Sequence, residues 1–503
     1  MATLGGSAVT MYAQGVGINT VRPHPSARLD IYSTHKGLLL PKLTTAQRNA
    51  ISLPADGLLV YNLDSGCVEV YRMLSSSWRC IGQDSFSVMN DSTWCYSVGD
   101  TFAEKVHDAL VDRWGNVILI GSTRSFGALG EDVFVVRISP NDSIIWAIRD
   151  GGIGDDIGMA GVVDNDGNIY VVGYSDSLSS AYHDVWVAKY DSSGNRIWGA
   201  IVGTSGVDSA YDVVLGSNGD LVVCGVTIGG TDTDGFVFRM DSAGTSIWWG
   251  RRIQTAYSDA MNAVDILPNG NIIVGGYVGK RLGDTVWAYV AKLSSAGALI
   301  WGKGIVPGVI ESVKISERGT IVGVGAYHFY LEFGVRRKDM MIFEVLPSGK
   351  TSWIHSWGHG KDLGTSLTFD VRENIYLAGV SRHPARAMLV KLTPDGYPVW
   401  SRMIGSDMGE TAVAIIWLPT GRLLLAGTTH SFGMGQSDAY LARVDATFGK
   451  SCCQYRGGGG HIFQPPFSVA SMGSVTSISL GMTLLGGGAI AVTPTILNIC
   501  FDR

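Results

Sequence analysis

A pattern of hydrophobic and polar residues that recurs about every fifty positions dominates this chain. Each copy contains an alternating run just after a turn, as in DGNIYVVG at residues 166–173 and NGNIIVGG at residues 269–276. Apolar residues with a period of two predict β-strands, and the Gly and Asn residues before them predict tight hairpins. The pattern therefore predicts a β-rich chain built from one repeated unit.

Seven copies of the unit can be aligned at spacings of 48 to 54 residues. The turn positions are Gly115, Gly167, Gly219, Gly270, Gly319, Glu373 and Gly421, and a glycine follows six residues after each. Each copy continues with a second alternating run and, in the first six copies, with a short turn and a strand that carries a Trp. Together with the strand before the first copy, these strands carry Trp94, Trp146, Trp198, Trp249, Trp301, Trp353 and Trp400. Four short strands in seven copies predict an all-β fold, a seven-bladed β-propeller.

The phase of the repeat predicts how this propeller closes. The strand around Trp94 precedes the first hairpin, whereas the last unit ends without its Trp strand. We expect the N-terminal strand to complete the last blade and leave no open edge. The unit resembles the bacterial β-propeller repeat of many secreted and surface proteins over roughly residues 94–443, which implies a fold but no chemistry.

One copy, DNDGN at residues 164–168, also has the oxygen-rich character of a calcium loop. Other copies place Trp114, Arg318 or Thr420 in this turn, and no calcium loop would tolerate them. We therefore interpret the stretch as a hairpin turn and expect neither a metal nor a cofactor.

Residues 15–82 lack the repeat. Thr44 to Gln47 fits a capping box that begins a short helix, and GLLVYNL, CVEVYRM and SSWRCIG predict strands. The block closely resembles one found before the variable parts of phage tail-fibre-like proteins and Bacteroidetes-type surface proteins, through GVGIN, ARLDI, KGLLLP, TTAQR and PADGLLVY. The resemblance implies a non-catalytic attachment piece ahead of a displayed domain. We expect an assembly module at 1–85, a propeller at 86–450 and an uncharged Gly-rich assembly segment at 451–503.

The two ends of the chain bear on its location. The first residues contain no evident signal peptide, which favours a virion protein assembled in the host cytoplasm over a bacterial cell-surface protein. Residues 457–500 contain no Asp, Glu, Lys or Arg and are long enough for a membrane span. A Gly triplet and Pro494 favour an extended segment instead, so no membrane span is expected. The chain could fold back on the propeller here or reach into a partner.

Charge and cysteine content exclude some classes. The net charge of −6 provides no basic surface for nucleic acid. Cys67 and Cys80 could face each other across a hairpin, although two ordinary thiols are as plausible.

Two sets of residues are candidate sites. One is an acidic ring with one carboxylate per unit, which could hold a cation but more plausibly fixes backbone amides: Glu104, Asp156, Asp208, Asp259, Glu311, Asp362 and Glu410. The other is an aromatic and basic loop that is the best candidate contact surface, with Tyr327, Phe329, Tyr330, Phe333, Arg336 and Arg337. The repeated tryptophans favour packing between blades, and repeated basic residues such as Arg137 and Arg443 favour a solvated or blade-edge position.

These observations favour a structural and binding protein of a phage particle, such as a tail fibre, spike or decoration protein. Its expected partners are other virion proteins, copies of itself, and a host-surface glycan or protein. A bacterial adhesin is the alternative in the same class. A polysaccharide-degrading propeller enzyme is the alternative in another class. We expect no enzyme, because the sequence contains neither a G-x-S-x-G nor an HExxH motif and the fold explains the acidic ring.

Overall fold

The computed structural model describes most of residues 38–80, residues 94–446 and the backbone of short strands elsewhere. Within 94–446 the gaps are residues 101, 127–128, 177–182, 230–231, 280–285, 331–335, 359–360, 383–384, 405–408 and 431–435. The chain divides into two compact units, Met1–Phe86 and Ser87–Arg503.

The first unit contains two small sheets and one short helix. Its elements are β1 (Val16–Ile18), β2 (Leu29–Ile31), β3 (Lys42–Leu43), α1 (Thr45–Asn49), β4 (Leu59–Asn62), β5 (Cys67–Arg72) and β6 (Ser77–Cys80). Strands β1 and β2 pair in parallel, and β3 to β6 form a four-stranded sheet. The predicted capping box is confirmed, because Thr44 and Gln47 exchange side-chain and backbone hydrogen bonds at the start of α1.

The hairpin of β5 and β6 corrects one sequence expectation. Glu69 lies opposite Cys80, and Cys67 pairs instead with Asn62 on β4. The two cysteines are therefore not cross-strand partners. Glu69 is buried and forms an ion pair with Arg48 of α1, with 2.5 Å between the guanidinium nitrogen and the carboxylate oxygen. This pair connects α1 to the sheet.

The second unit begins with β7 (Trp94–Gly99) and continues through 26 further strands up to Asp445. Sheet I contains β8 (Glu104–Val111), β9 (Val117–Thr123), β10 (Asp132–Ile138) and β11 (Ile144–Asp150). Sheet II contains β12 (Asp156–Val163), β13 (Ile169–Ser175), β14 (Asp184–Tyr190) and β15 (Arg196–Gly203). Sheet III contains β16 (Val207–Leu215), β17 (Leu221–Ile228), β18 (Thr233–Met240) and β19 (Ile247–Gln254).

Sheets IV and V share a strand. Sheet IV contains β20 (Ala260–Ile266), β21 (Ile272–Val278), β22 (Trp287–Leu293) and the first part of β23 (Leu299–Ile315). Sheet V contains the second part of β23 with β24 (Ile321–Tyr330), β25 (Arg336–Val345) and β26 (Thr351–Gly358). Sheet VI contains β27 (Asp362–Phe369), β28 (Ile375–Arg382), β29 (Ala385–Leu392) and β30 (Pro398–Ile404). Sheet VII contains β31 (Glu410–Trp417), β32 (Arg422–Thr429) and β33 (Asp438–Asp445), and β7 pairs with β33 as its fourth strand.

The predicted all-β class with repeated four-stranded antiparallel sheets is confirmed. The predicted turns are also present: Gly167 has a φ of 81°, and Asp164 accepts hydrogen bonds from the backbone amides of Asp166 and Asn168. That carboxylate is therefore occupied by its own turn.

The sheets pack in chain order around their first strands. Strand β8 contacts β12, and the same contact recurs along β12, β16, β20, β23, β27 and β31, which contacts β8 again. Within the described residues, seven hydrophobic clusters lie between successive sheets. Phe236 of sheet III, for example, packs with Tyr170 of sheet II, and both are buried.

The repeated tryptophans connect neighbouring sheets. Trp146 donates its indole N–H to the carbonyl of Ser192 in the next sheet at 3.0 Å, and its ring packs under the turn glycine Gly194. Trp198, Trp249 and Trp301 make the equivalent bonds to Ser242, Ser295 and Pro347. Each of these four indoles therefore connects one sheet to a turn of the next sheet, whereas the indole N–H groups of Trp353 and Trp400 make no such bond.

The sequence left a solvated or a blade-edge position open for the repeated basic residues, and the solvated alternative does not hold for Arg137 and Arg443. Arg137 is 4% exposed, pairs with Asp112, and donates to the same Ser192 carbonyl as Trp146. Arg443 is 2% exposed. Burial of such a charge requires these partners, so the position is an inter-sheet contact.

Short strands after residue 450 line the outer edges of the seven sheets. We call β34 (Gln454–Tyr455), β35 (His461–Phe463), β36 (Ala470–Ser471), β37 (Ser474–Ser477), β38 (Gly481–Leu484), β39 (Ile490–Val492) and β40 (Thr495–Phe501) the C-terminal belt. They pair antiparallel with β30, β26, β23, β19, β15, β11 and β7 respectively. The belt therefore visits the sheets in reverse order and adds an outer strand to each. In the described part of the chain, no helix is long and apolar enough to cross a membrane.

Candidate axial cavity

The first strands of the seven sheets surround a cavity of about 420 Å³. Each of these strands carries a β-bulge, so one residue per sheet has no cross-strand partner. These bulge residues, which all line the cavity, are His107, Met159, Tyr211, Asn262, Glu311, Thr365 and Val413. A β-bulge re-aims a side chain out of the regular pleat, which explains how a repeated strand can present seven different residues to one space.

Polar groups gather where sheets III, IV and V meet. The Asn262 amide donates to the Ile310 carbonyl at 2.9 Å and to Glu311 Oε2 at 3.4 Å. Burial raises the pKa of Glu311 to about 7, although the nearby Lys338 charge partly opposes this. Burial, together with Tyr277, Tyr174 and Glu311, raises the pKa of Tyr211 to about 12. At neutral pH this corner therefore holds a phenol, an amide and a carboxyl group that exchanges its proton easily.

His107 adds an uncharged imidazole to the cavity wall. Burial and the charge of Lys105 lower the pKa of His107 to about 4, and Glu131 only partly opposes them. The ring is thus neutral at physiological pH and can donate or accept a hydrogen bond.

A charged cluster lies on the same strands. Burial raises the pKa of Asp108 to about 7 and that of Asp212 to about 6. Both accept backbone amides of the next sheet, from Gly161 at 3.0 Å and Val264 at 2.8 Å. Burial disfavours the charged form of Lys314, but the attraction of Asp265, Asp212 and Asp108 outweighs it and raises the lysine pKa. The carboxylates of Asp108 and Asp212 therefore accept hydrogen bonds that connect neighbouring sheets. Together with Asp265 they also create a negative potential at the Lys314 ammonium group.

These groups can bind a polar ligand by hydrogen bonds to hydroxyl or amine groups. They do not form a metal centre, since no cluster of three His, Cys, Asp or Glu suited to a metal ion occurs among the described residues.

The acidic ring lies at the starts of the first strands, away from the bulges. Asp156 and Asp208 are fully buried and accept the backbone amides of Gly152 and Thr204, each at 2.6 Å. Glu104 and Asp259 receive the equivalent bonds from Asp100 and Thr255. Asp362 and Glu410 occupy the same register position and are also buried.

Glu311 does not belong to this ring, which corrects the sequence assignment. In sheet V the ring position is Gly308, opposite Tyr327, and Glu311 is the bulge residue three positions later. The cause is the continuous strand β23, which runs from sheet IV into sheet V without the usual loop. A spacing counted from Trp301 therefore overshoots the ring.

The aromatic and basic loop is a hairpin at the end of β24 and β25. Its register pairs Tyr327 with Asp339, Phe329 with Arg337 and Tyr330 with Arg336, whereas Phe333 lies outside the described residues. The Tyr327 ring packs against the core between sheets IV and V, and burial and Asp339 raise its pKa. The side chains of Phe329, Tyr330, Arg336 and Arg337 are outside the described part of the structure. Lys338 is exposed and acts electrostatically on Glu311, so this hairpin and the cavity adjoin.

The sequence reasoning missed His107, Tyr211 and Asn262. A signal for them existed, because they stand three residues after a ring position, where the seven copies differ most in chemistry. Within a repeat, a variable position between fixed ones marks where a common scaffold carries specific groups.

Comparisons with known proteins bear on the N-terminal region. Residues 17–97 match the family model of the phage tail like trimerisation region. A comparison with curated proteins gave no match.

Solved structures of low similarity cover much of the chain. A protein of unknown function from Dyadobacter fermentans is 11% identical, with 70% of this chain and 97% of that chain covered and a TM-score of 0.40. A protein of unknown function from Bacteroides caccae is 12% identical, with 57% and 92% covered and a TM-score of 0.33. The polysaccharide lyase Uly1 is 12% identical, with 80% and 96% covered and a TM-score of 0.41. At these values the likeness carries no information about activity.

Proposed function

We propose that this chain is a self-associating structural protein of a phage tail-like particle, in which a trimerisation region displays a closed seven-bladed β-propeller. The match of residues 17–97 to the phage tail like trimerisation region carries the proposal. It supports an extracellular or virion-associated location and contacts with copies of the same chain. Other virion proteins are proposed partners because an attachment region needs a particle to attach to.

The surface of the first unit supports self-association. Leu39 is 77% exposed and Leu38 is 62% exposed, and both precede β3 and the capped helix in the sequence. Neighbouring exposed leucines on a small unit are typical of a protein interface. Burial of one leucine side chain in an interface stabilises that interface by about 1.5–3 kcal/mol. Leu38 and Leu39 of three copies, packed together, would therefore stabilise a trimer.

The sheet order supports the propeller. Seven antiparallel sheets pack in chain order with hydrophobic clusters between successive pairs, and β7 supplies the fourth strand of sheet VII. A propeller leaves only short, protected edges, and the belt would cover these. In this proposal each sheet is a blade and the cavity lies on the propeller axis.

The cavity supports a binding role. Tyr211, Asn262, His107 and Glu311 offer donors and acceptors around one space, and the Tyr327–Lys338 hairpin adjoins it. Hydroxyl-rich ligands suit such a mixture, so we propose a host-surface glycan as the ligand of this face.

The first experiment is to measure the mass of the full-length protein in solution by light scattering. A mass of three chains is expected, and the mass of a single chain at micromolar concentration would contradict the proposal. Leu39→Asp should dissociate the trimer. Leu129→Asp is the matched control, because Leu129 is equally exposed at 78% but lies on sheet I's loop.

The second experiment is retention on whole bacterial cells and on their extracted glycans. Glu311→Gln should weaken retention, whereas Glu317→Gln, an exposed turn residue, should not. Equal retention of both variants and the parent would place binding elsewhere.

A glycan-degrading activity is the second candidate function, and the cavity provides the observation in its favour. A carboxyl group with a pKa of about 7 and a protonated phenol face the same space, as acid–base catalysis requires. Release of reducing ends from the retained glycan would favour this function over simple binding.

A further inference from the structure

The end of the belt pairs with the first strand of the second unit. Strand β7 pairs with β33 along one edge and with β40 along the other. The match to the trimerisation region ends at residue 97, inside β7. This strand therefore belongs both to the matched region and to sheet VII.

The register of β40 on β7 brings two cysteines opposite each other. Cys500 is the partner of Cys95, with Phe501 opposite Trp94 on one side and Asn498 opposite Tyr96 on the other. Directly opposite residues of antiparallel strands have Cα atoms about 4.5–5.5 Å apart. A disulfide spans Cα atoms about 4.4–6.8 Å apart, a range that includes this ladder spacing, and a β-bulge at Ile499 lies beside the pair.

The other cysteines in the described strands have no such partner. Cys224 is free and fully buried in sheet III. Cys67 and Cys80 have Asn62 and Glu69 opposite them. Among the strands that the structure describes, only Cys95 and Cys500 are cross-strand cysteine partners.

We propose that Cys95 and Cys500 form a disulfide that fastens the last strand of the chain to β7. The reaction is thiol–disulfide exchange with a small disulfide such as oxidised glutathione: the two cysteines lose two protons and two electrons, and the glutathione disulfide becomes two thiols. The bond makes the belt a covalently closed clasp around the seven sheets.

The timing of this step rests on the proposed function. A particle assembled in a reducing cytoplasm holds both cysteines as thiols, and release into an oxidising medium allows the bond to form. The clasp would then close after the belt has reached its place. Since cysteines outside the described residues could compete, a direct map of the bond is needed.

The test uses the full-length protein, purified in reductant and then incubated with oxidised glutathione. After alkylation of the remaining thiols and digestion without reductant, mass spectrometry should find the peptides of Cys95 and Cys500 joined, with a mass lower by two hydrogens. Reduction should separate them. Cys500→Ser should abolish the joined peptide, whereas Cys453→Ser, at the position just before β34 in the sequence, should leave it.

Three results would overturn the inference. The first is alkylation of both cysteines after oxidation, and the second is a bond from Cys500 to a different cysteine. A bond between chains, detected by mixing isotope-labelled and unlabelled protein before oxidation, would likewise refute a clasp within one chain. A monomer that carries the Cys95–Cys500 bond would refute the proposed trimer but leave the clasp intact.

Discussion

Replacement of Asp108 by asparagine should change how the stability of the seven sheets depends on pH. The pKa of Asp108 is raised by burial from its ordinary value of 3.8 to about 7. The folded protein therefore binds this proton more tightly than the unfolded chain. The stabilisation is complete below pH 3.8 and is lost as the pH rises through about 7. An asparagine has no such proton to lose.

The two pKa values set the size of the effect. They differ by about three pH units, and each unit corresponds to about 1.4 kcal/mol, which makes about 4 kcal/mol an upper value. Asp108 is only half-buried and faces a cavity that admits water, so we expect about half of this. As the pH rises from 4 to 8, the free energy of unfolding of Asp108→Asn should increase by about 2 kcal/mol relative to that of the parent protein.

The assay is urea unfolding of both proteins at several pH values from 4 to 8, followed by tryptophan fluorescence. The exchange of a carboxyl for an amide adds a pH-independent offset to the stability, whereas the bonds from the amides of Gly161 and Ala109 favour the ionised carboxylate and already enter its pKa. The informative quantity is therefore how the difference in free energy of unfolding between Asp108→Asn and the parent changes with pH. Asp166→Asn, an exposed turn substitution, serves as the control.

A difference between Asp108→Asn and the parent that stays constant from pH 4 to pH 8 would refute the reasoning. It would mean that water in the cavity solvates the Asp108 carboxylate as well as bulk solvent does. A difference of opposite slope would mean that Lys314 stabilises the ionised carboxylate more than burial disfavours it.

Three further substitutions test contacts between sheets and loops by urea unfolding. Asp208→Ala should cost about 2–4 kcal/mol, because the buried amide and hydroxyl of Thr204 lose their acceptor; a cost near zero would contradict this role. Arg137→Leu should cost about 3 kcal/mol by leaving the buried Asp112 carboxylate without its cation, and a neutral outcome would show that the turn amides suffice. Gly194→Ala should cost about 1–2 kcal/mol, since the φ of 86° disfavours a side chain and the indole below must shift; an unchanged midpoint would refute the strain.

Local rules explain which parts of the fold could be predicted. Turn glycines, alternating strands and the Thr44–Gln47 capping box depend on neighbours in sequence, and the structure contains them. The error at Glu311 arose where β23 omits a loop, because a count of residues cannot detect a missing connection. The buried position of Arg137 was missed because its carbonyl partner, Ser192, lies 55 residues away.

The cavity and the belt were harder to predict for different reasons. His107 and Tyr211 converge only after the sheets pack, and a variable position in a repeat resembles a tolerant one. Residues 457–500 lack charge, so nothing in their polarity distinguishes an outer strand on this chain from a segment in a partner. Only the pairing of the belt strands with the outer strands of the sheets shows where these residues lie.

The position of β7 between β33 and β40 has a consequence for synthesis on the ribosome. Trp94 leaves the ribosome early, but its partners Arg443 and Phe501 are translated some hundreds of residues later. The pairing of β7 with β33 therefore waits until residue 445 has been made, the pairing with β40 waits longer still, and both close long loops at an entropic cost. A product truncated by a premature stop codon would retain an unsatisfied β7 edge, which chaperones and proteases can recognise. Synthesis through β40 thus becomes a condition for a fully paired β7, and shorter chains would be removed.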